Sequence, residues 1–68
     1  MDARQTAKNF TAKGIEGLIR NAKRNLVELD DIDAQLGDRG REARAAARER
    51  YQAKLASAER ALELREAM

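Results

Sequence analysis

Apolar residues recur at helical spacing along the first half of the chain. Between residues 2 and 36 they follow one another at steps of three, four or seven and cover roughly half of a helix circumference. This pattern predicts one long amphipathic helix over about residues 2–36. Asp2 is a candidate N-cap with Gln5 as its capping-box partner, and Gly37 stands where a left-handed C-cap is expected. The core residues predicted for this helix are Phe10, Leu18, Ala22, Leu26, Leu29, Ile32 and Leu36.

A second, narrower apolar stripe runs from about residue 40 to residue 67. It consists mainly of alanines, and its large core members are Tyr51, Leu55 and Leu62. Asp38 is a candidate N-cap for this second helix. The connection, residues 37–40, is so short that the two helices must be antiparallel. The sequence therefore predicts an all-α fold, an antiparallel two-helix hairpin that forms a single domain over residues 1–68.

The charges beside the turn have the wrong sign for their helix ends. Asp30 and Asp33 lie near the negative end of the first helix, and Arg44 and Arg48 lie near the positive end of the second. In a hairpin folded at this turn, the numbers of opposed residues sum to about 77. Asp33 then faces Arg44. By the same rule Asp30 faces Arg48, so the charges predict two ion pairs that fix the register.

The two stripes do not match in width. The first is broad and rich in large aliphatic residues, whereas the second is narrow, and residues 1–8 overhang its end in this register. An apolar strip left uncovered in this way marks an interface. The simplest cover is a second copy of the chain, which predicts a homodimer with the architecture of a four-helix bundle. The residues at the edges of the broad stripe are Phe10, Ile15, Ile19 and Ile32.

The composition argues against catalysis. The chain has 14 basic and 12 acidic residues, but it has no Cys and no His. It therefore lacks the common zinc ligands and any nucleophile paired with a histidine base, and two helices enclose no substrate. We predict a protein that is not an enzyme and uses no cofactor. No uncharged run exceeds four residues, which predicts a cytoplasmic protein without a membrane span.

One segment has the oxygen spacing of a calcium loop. Residues 31–42 place side-chain oxygens at the first, third, fifth and twelfth positions of such a loop. Leu36 occupies the position of the required glycine, and Arg39 would bring a positive charge among the ligands. The segment is therefore interpreted as a plain helix turn, and no metal site is predicted.

The outer face of the first predicted helix carries basic residues beside two isoleucines. Aliphatic anchors with a charged rim are typical of a helix face that binds another protein. The same charges could contact phosphates, although Glu16 interrupts them and no aromatic residue is placed to stack on bases. We therefore predict binding to one target protein, with nucleic acid as the alternative partner. The residues predicted to bind the partner are Lys13, Ile15, Ile19, Arg20, Lys23 and Arg24.

The length, the two helical stripes and the short turn with Asp38 resemble those of Rop-like helical hairpins. That resemblance implies a dimeric four-helix bundle that binds RNA. In its size and its lack of catalytic groups, the chain is also similar to small phage-encoded proteins that inhibit a host protein. This second resemblance implies a regulator or inhibitor that acts through protein–protein contact, and this is the function that we expect. A structural subunit of a larger complex is a third interpretation.

Overall fold

The computed structural model describes residues 2–67, and within them it has three helices and no strand. These are α1 (Ala3–Asn9), α2 (Ala12–Leu36) and α3 (Arg41–Ala67). The all-helical class is confirmed. The chain is not the bare two-helix hairpin that the sequence predicts, because α1 is a separate third helix.

The first predicted helix is interrupted at Phe10 and Thr11. Both residues have extended backbone, and the hydroxyl of Thr11 accepts a hydrogen bond of 3.1 Å from the amide of Gly14. A threonine N-cap requires extended backbone at its own position, so it ends one helix as it begins the next. The prediction of one continuous helix over residues 2–36 is wrong here. From Thr11 onward α2 runs unbroken through Gly14 and Gly17.

Residues 37–40 form the turn between α2 and α3. Gly37 and Gly40 have φ of 60° and 68°, in the left-handed region where a side chain is strained. The amide of Gly37 closes α2 by donating to the carbonyl of Asp33 at 3.0 Å. The side chain of Asp38 accepts from the guanidinium of Arg41 at 3.4 Å. These bonds give the chain a sharp reversal, and α3 starts at Arg41.

α3 runs back along α2, and small residues set the distance between them. Near the open end, Ala58 and Ala61 share a buried cluster with Ile15 of α2. Alanine side chains let two helices approach closely, so few large residues are needed to fill the space between them. The buried apolar residues are Ala7, Ile15, Ala22, Leu29, Ala58 and Ala61.

α1 covers the end of the α2–α3 pair that lies farthest from the turn. It packs mainly against α3, with Ala7 fully buried in the cluster that contains Ala58 and Ala61. Arg65 of α3 donates a hydrogen bond of 2.9 Å to the carbonyl of Ala7, near the end of α1. The predicted overhang is therefore a docked helix over residues 3–9.

Three of the residues predicted for the core of the hairpin or of its dimer are exposed in the single chain. Phe10 is 40% exposed, because α1 ends at this residue and turns it out of the helix. Ile32 and Leu36 are 39% and 47% exposed, since α3 offers mostly alanines along this stretch. Ala22 and Leu29 are buried as predicted. The remaining predicted core residues are half-buried, and they are Leu18, Leu26, Tyr51, Leu55 and Leu62.

Candidate interaction surfaces

A buried arginine holds the turn together. The side chain of Arg44 is only 10% exposed, and its guanidinium donates hydrogen bonds in three directions. It donates to the carboxylate of Asp33 and to the backbone carbonyls of Gly37 and Arg39. The planar guanidinium presents several N–H donors in a fixed arrangement, so one side chain can satisfy all three acceptors. Arg44 thus fastens the start of α3 to the end of α2.

A second arginine extends this network along the helices. Arg48 lies 2.7 Å from Asp33 and 2.7 Å from Asp30. Both ion pairs that the register predicts are present, and Asp33 is shared by two arginines. The hydrogen bond from Arg44, together with that from Arg48, holds the pKa of Asp33 below its ordinary value of 3.8. Hydrogen bonds to Asp30 and Asp33 in turn raise the pKa of Arg48.

Because the pKa of Asp33 is lowered, the stability of the fold should depend on pH in the acidic range. The contribution of this carboxylate is fully present above the ordinary pKa of 3.8 and is lost as the pH falls through the lower folded value. We expect the melting temperature, followed by circular dichroism, to fall below about pH 4. Asp33→Asn should flatten that fall, whereas Asp31→Asn, at an exposed position on the same helix, should keep it. Identical acid profiles for the two variants would contradict the assignment.

The residues with calcium-loop spacing do not converge. The carboxylate of Asp33 points into the arginine network rather than toward a shared centre. Within residues 2–67, no three His, Cys, Asp or Glu side chains gather closely enough to hold a metal ion. Within this segment Asp33 and Asp38 are instead partners of arginines.

The structure corrects the predicted partner-binding face at one residue, Ile15. Ile15 is 0% exposed, so it cannot anchor a partner and its assignment to that face is wrong. It lies seven residues before Ala22 and fourteen before Leu29, and this spacing places all three on one line along α2, facing α3. Ile19 is half-buried against the same cluster.

The basic residues of that face are exposed but alternate with acidic ones. Arg24 lies 3.9 Å from Glu28 on the same helix. Arg20 and Lys23 border a shallow depression between α2 and α3 that three glutamates also line, Glu16, Glu59 and Glu63. Lys13 is exposed farther along α2. The predicted residues thus form a mixed-charge surface rather than a continuous positive one.

A different surface is both apolar and uncovered. We call it the open groove, a cleft of about 230 Å³ between α2 and α3. The polar groups of the groove belong to Asn21, Asn25 and Lys54. The amine of Lys54 lies 6.0 Å from the centre of the Tyr51 ring. Apolar atoms make up most of the wall. The groove is lined by Leu18, Asn21, Ala22, Asn25, Tyr51, Lys54 and Ala58.

Two exposed residues continue the groove toward the turn. Leu18, Asn25 and Ile32 are spaced by seven residues, and Leu36 follows four later, so all four share one line along α2. From Leu18 to Leu36 this line extends over about 27 Å of helix. We call the open groove together with Ile32 and Leu36 the open face.

The sequence alone does not indicate the open face, because Asn21 and Asn25 interrupt its apolar pattern. The spacing of seven from Leu18 to Asn25 to Ile32 was the available signal.

Comparison with known proteins does not assign the surface. No protein family model, no curated protein sequence and no solved structure matches the chain. Among the described residues, none of the helices combines the length and the apolar character that crossing a membrane requires. The interpretation of the open face therefore depends on its own geometry and charge.

Proposed function

We propose that this protein is a small non-enzymatic regulator that binds another protein through its open face. The observation that carries the proposal is the open groove with Ile32 and Leu36, an apolar surface that the chain itself leaves uncovered. Contiguous apolar surface exposed to water is unfavourable, and in small proteins it commonly marks a binding site. A partner protein would cover this face, and this direct contact would regulate one of the two proteins.

The shape of the face suits a helix. Ala22 and Ala58 form its floor, and their small side chains permit close approach of a third helix. One line along α2 carries Leu18, Ile32 and Leu36. A helix that docks in a groove has its apolar anchor residues on one line too, so the two lines could lie against each other. Burial of these half-exposed aliphatic side chains against the apolar side chains of a partner would stabilise the complex.

The predicted homodimer is a competing use of the same surface. Two chains that pair their open faces would form a four-helix bundle from their α2 and α3 helices, with α1 at its ends. In that arrangement self-association and target binding exclude each other. The oligomeric state of the chain, alone and with its target, therefore belongs to the test of the proposal.

Nucleic-acid binding remains the alternative proposal and has weaker support. A Rop-like RNA binder needs a positive surface, and Arg20 and Lys23 are interleaved with three glutamates. Such a binder would lose affinity steeply with added salt, whereas an apolar contact would not. This difference separates the two functions experimentally.

The proposal is tested by filling the open groove. Asn25→Trp places a large ring in the groove from a half-exposed position, and Lys13→Trp places the same ring on the outer face. Tagged wild-type and variant chains serve as baits in extract of the native host, with and without nuclease. We expect one protein to be retained by the wild type and by Lys13→Trp, and lost with Asn25→Trp. Nuclease should not affect its recovery.

Two results would contradict the proposal. Equal recovery of that protein by Asn25→Trp would show that it binds elsewhere on the chain. Recovery of nucleic acid, with proteins lost on nuclease treatment, would favour the RNA-binding alternative. Circular dichroism of each bait confirms that it is folded, and sedimentation equilibrium gives its oligomeric state.

A further inference from the structure

We infer that the occupant of the open face is an acidic amphipathic helix of a different protein, with a carboxylate that pairs with Lys54. This inference rests on the proposed function and adds the chemistry of the partner. Its basis is the distribution of charge around the groove.

Lys54 is the one charged residue among those that line the groove. It takes part in none of the ion pairs found within residues 2–67. The residues three and four positions away on α3 are Arg50, Tyr51, Ser57 and Ala58, so its own helix supplies no carboxylate. Its amine instead lies over the ring of Tyr51, at the mouth of the groove.

Five arginines among the described residues are already paired with acidic side chains. Arg24 has Glu28 one turn away, and Arg60 lies 3.0 Å from Glu63. Arg48 is occupied by Asp30 and Asp33. Lys54 differs from these arginines because it borders an apolar cleft and belongs to none of the ion pairs within residues 2–67.

The facing wall of the groove is also free of acid. Asn21 and Asn25 of α2 line it, and both are neutral amides in a chain with 12 acidic residues. The depression on the other side of the α2–α3 pair has three glutamates at its border. The groove is thus neutral apart from Lys54, and an acidic partner complements it.

The chain itself shows that a helix can lie against this part of the molecule. α1 docks with Ala7 in the cluster of Ala58 and Ala61, and Leu18 packs against that cluster. Leu18 and Ala58 also line the open groove, so the uncovered surface begins where the cover by α1 ends. From Leu18 to Leu36 it offers room for about 18 residues of a second helix.

A second copy of the chain does not supply the missing charge. Its open groove would bring another Lys54 and two more asparagines, and no carboxylate from the groove lining. Like charges facing each other across an interface oppose association. Charge complementarity therefore favours a different protein over self-pairing.

The inference is tested with a displayed library of amphipathic 18-residue helices. Their apolar stripe is fixed and their flanking positions are randomised, and selection is carried out on the full-length chain. We expect Asp or Glu to be enriched at one flank with the wild type, and Lys or Arg to be enriched there with Lys54→Glu. Lys13→Glu makes the same charge change on the outer face and should keep the wild-type preference.

The affinity of one selected helix then shows how much its acidic side chain contributes to binding. Replacing its enriched acid by the matching amide should weaken binding to the wild type by about fivefold and leave binding to Lys54→Glu unweakened. Every selected helix should also lose binding to Asn25→Trp.

The outcomes separate the two proposals. Helices that require the groove but show no acidic preference would overturn this inference and leave the proposed function standing. Helices that bind Asn25→Trp as well as the wild type, or the absence of any enriched helix, would overturn both. A wild-type dimer that Asn25→Trp converts to a monomer would identify a second copy as the occupant and overturn the inference.

Discussion

Replacing Arg44 by methionine is expected to lower the free energy of unfolding by about 2–4 kcal/mol. The methionine keeps part of the apolar stem but removes the three side-chain hydrogen bonds that Arg44 donates at the turn. The carbonyls of Gly37 and Arg39 would lose their side-chain donor, and Asp33 would lose one of two arginines. Chemical denaturation followed by circular dichroism measures the change.

Arg41→Met is the matched control for this prediction. Arg41 begins the same helix, but its side chain is 77% exposed and its ion pair with Asp38 is long, at 3.4 Å. An exposed pair of this kind contributes at most about 1 kcal/mol. If the two variants were equally stable, the arginine network would not be what fastens α3 to α2.

Ile15→Ala is expected to destabilise the protein by about 2–5 kcal/mol, the range measured for truncating a buried aliphatic side chain. Ile15 is fully buried and occupies the centre of the cluster that joins all three helices. In a chain of 68 residues the loss is a large share of the total stability, so partial unfolding at ambient temperature is the expected result.

Ile19→Ala gives the comparison within the same helix. Ile19 is only half-buried, so its truncation should cost clearly less, measured by the same denaturation experiment. The result also distinguishes the corrected role of Ile15 from the one that the sequence predicts. A binding anchor would tolerate alanine without loss of stability, and a normally stable Ile15→Ala variant would contradict its place in the core.

The parts of the fold that the sequence predicts well depend on local rules. The apolar spacing marks α2 and α3, and Gly37 marks the turn between them. The unusual charges at the turn predict which residues face each other, because short-range pairing of Asp33 with Arg44 follows once the turn is fixed. These features need only the helical period and the position of the turn.

The parts that fail depend on contacts between helices or on a local signal that the apolar pattern hides. The apolar rhythm continues through Phe10, so it hides the helix boundary that Thr11 creates as an N-cap. The packing of α1 on α3 depends on small residues such as Ala7 and Ala61, which carry little pattern of their own. Ile15 lies at the margin of the apolar stripe, so the pattern of α2 alone does not show that it packs against both α1 and α3.

The interaction surface was hidden for the same reason. Asn25 shares a line with Leu18 and Ile32, but Asn21 and Asn25 are polar, so a count of apolar positions omits both of them. In the structure they border an apolar cleft. Only the relative position of α2 and α3 joins them to Tyr51 and Lys54. A surface shared by two helices cannot be found by examining either helix alone.

Site-specific photo-crosslinking tests most directly what occupies the open face. A photoreactive amino acid at position 25 reports from inside the groove, and the same group at position 13 reports from the outer face. In native-host cells we predict one adduct from position 25, with a protein other than this chain, and none of comparable yield from position 13. Adducts from position 25 with a second copy, or equal adducts from both positions, would contradict the account.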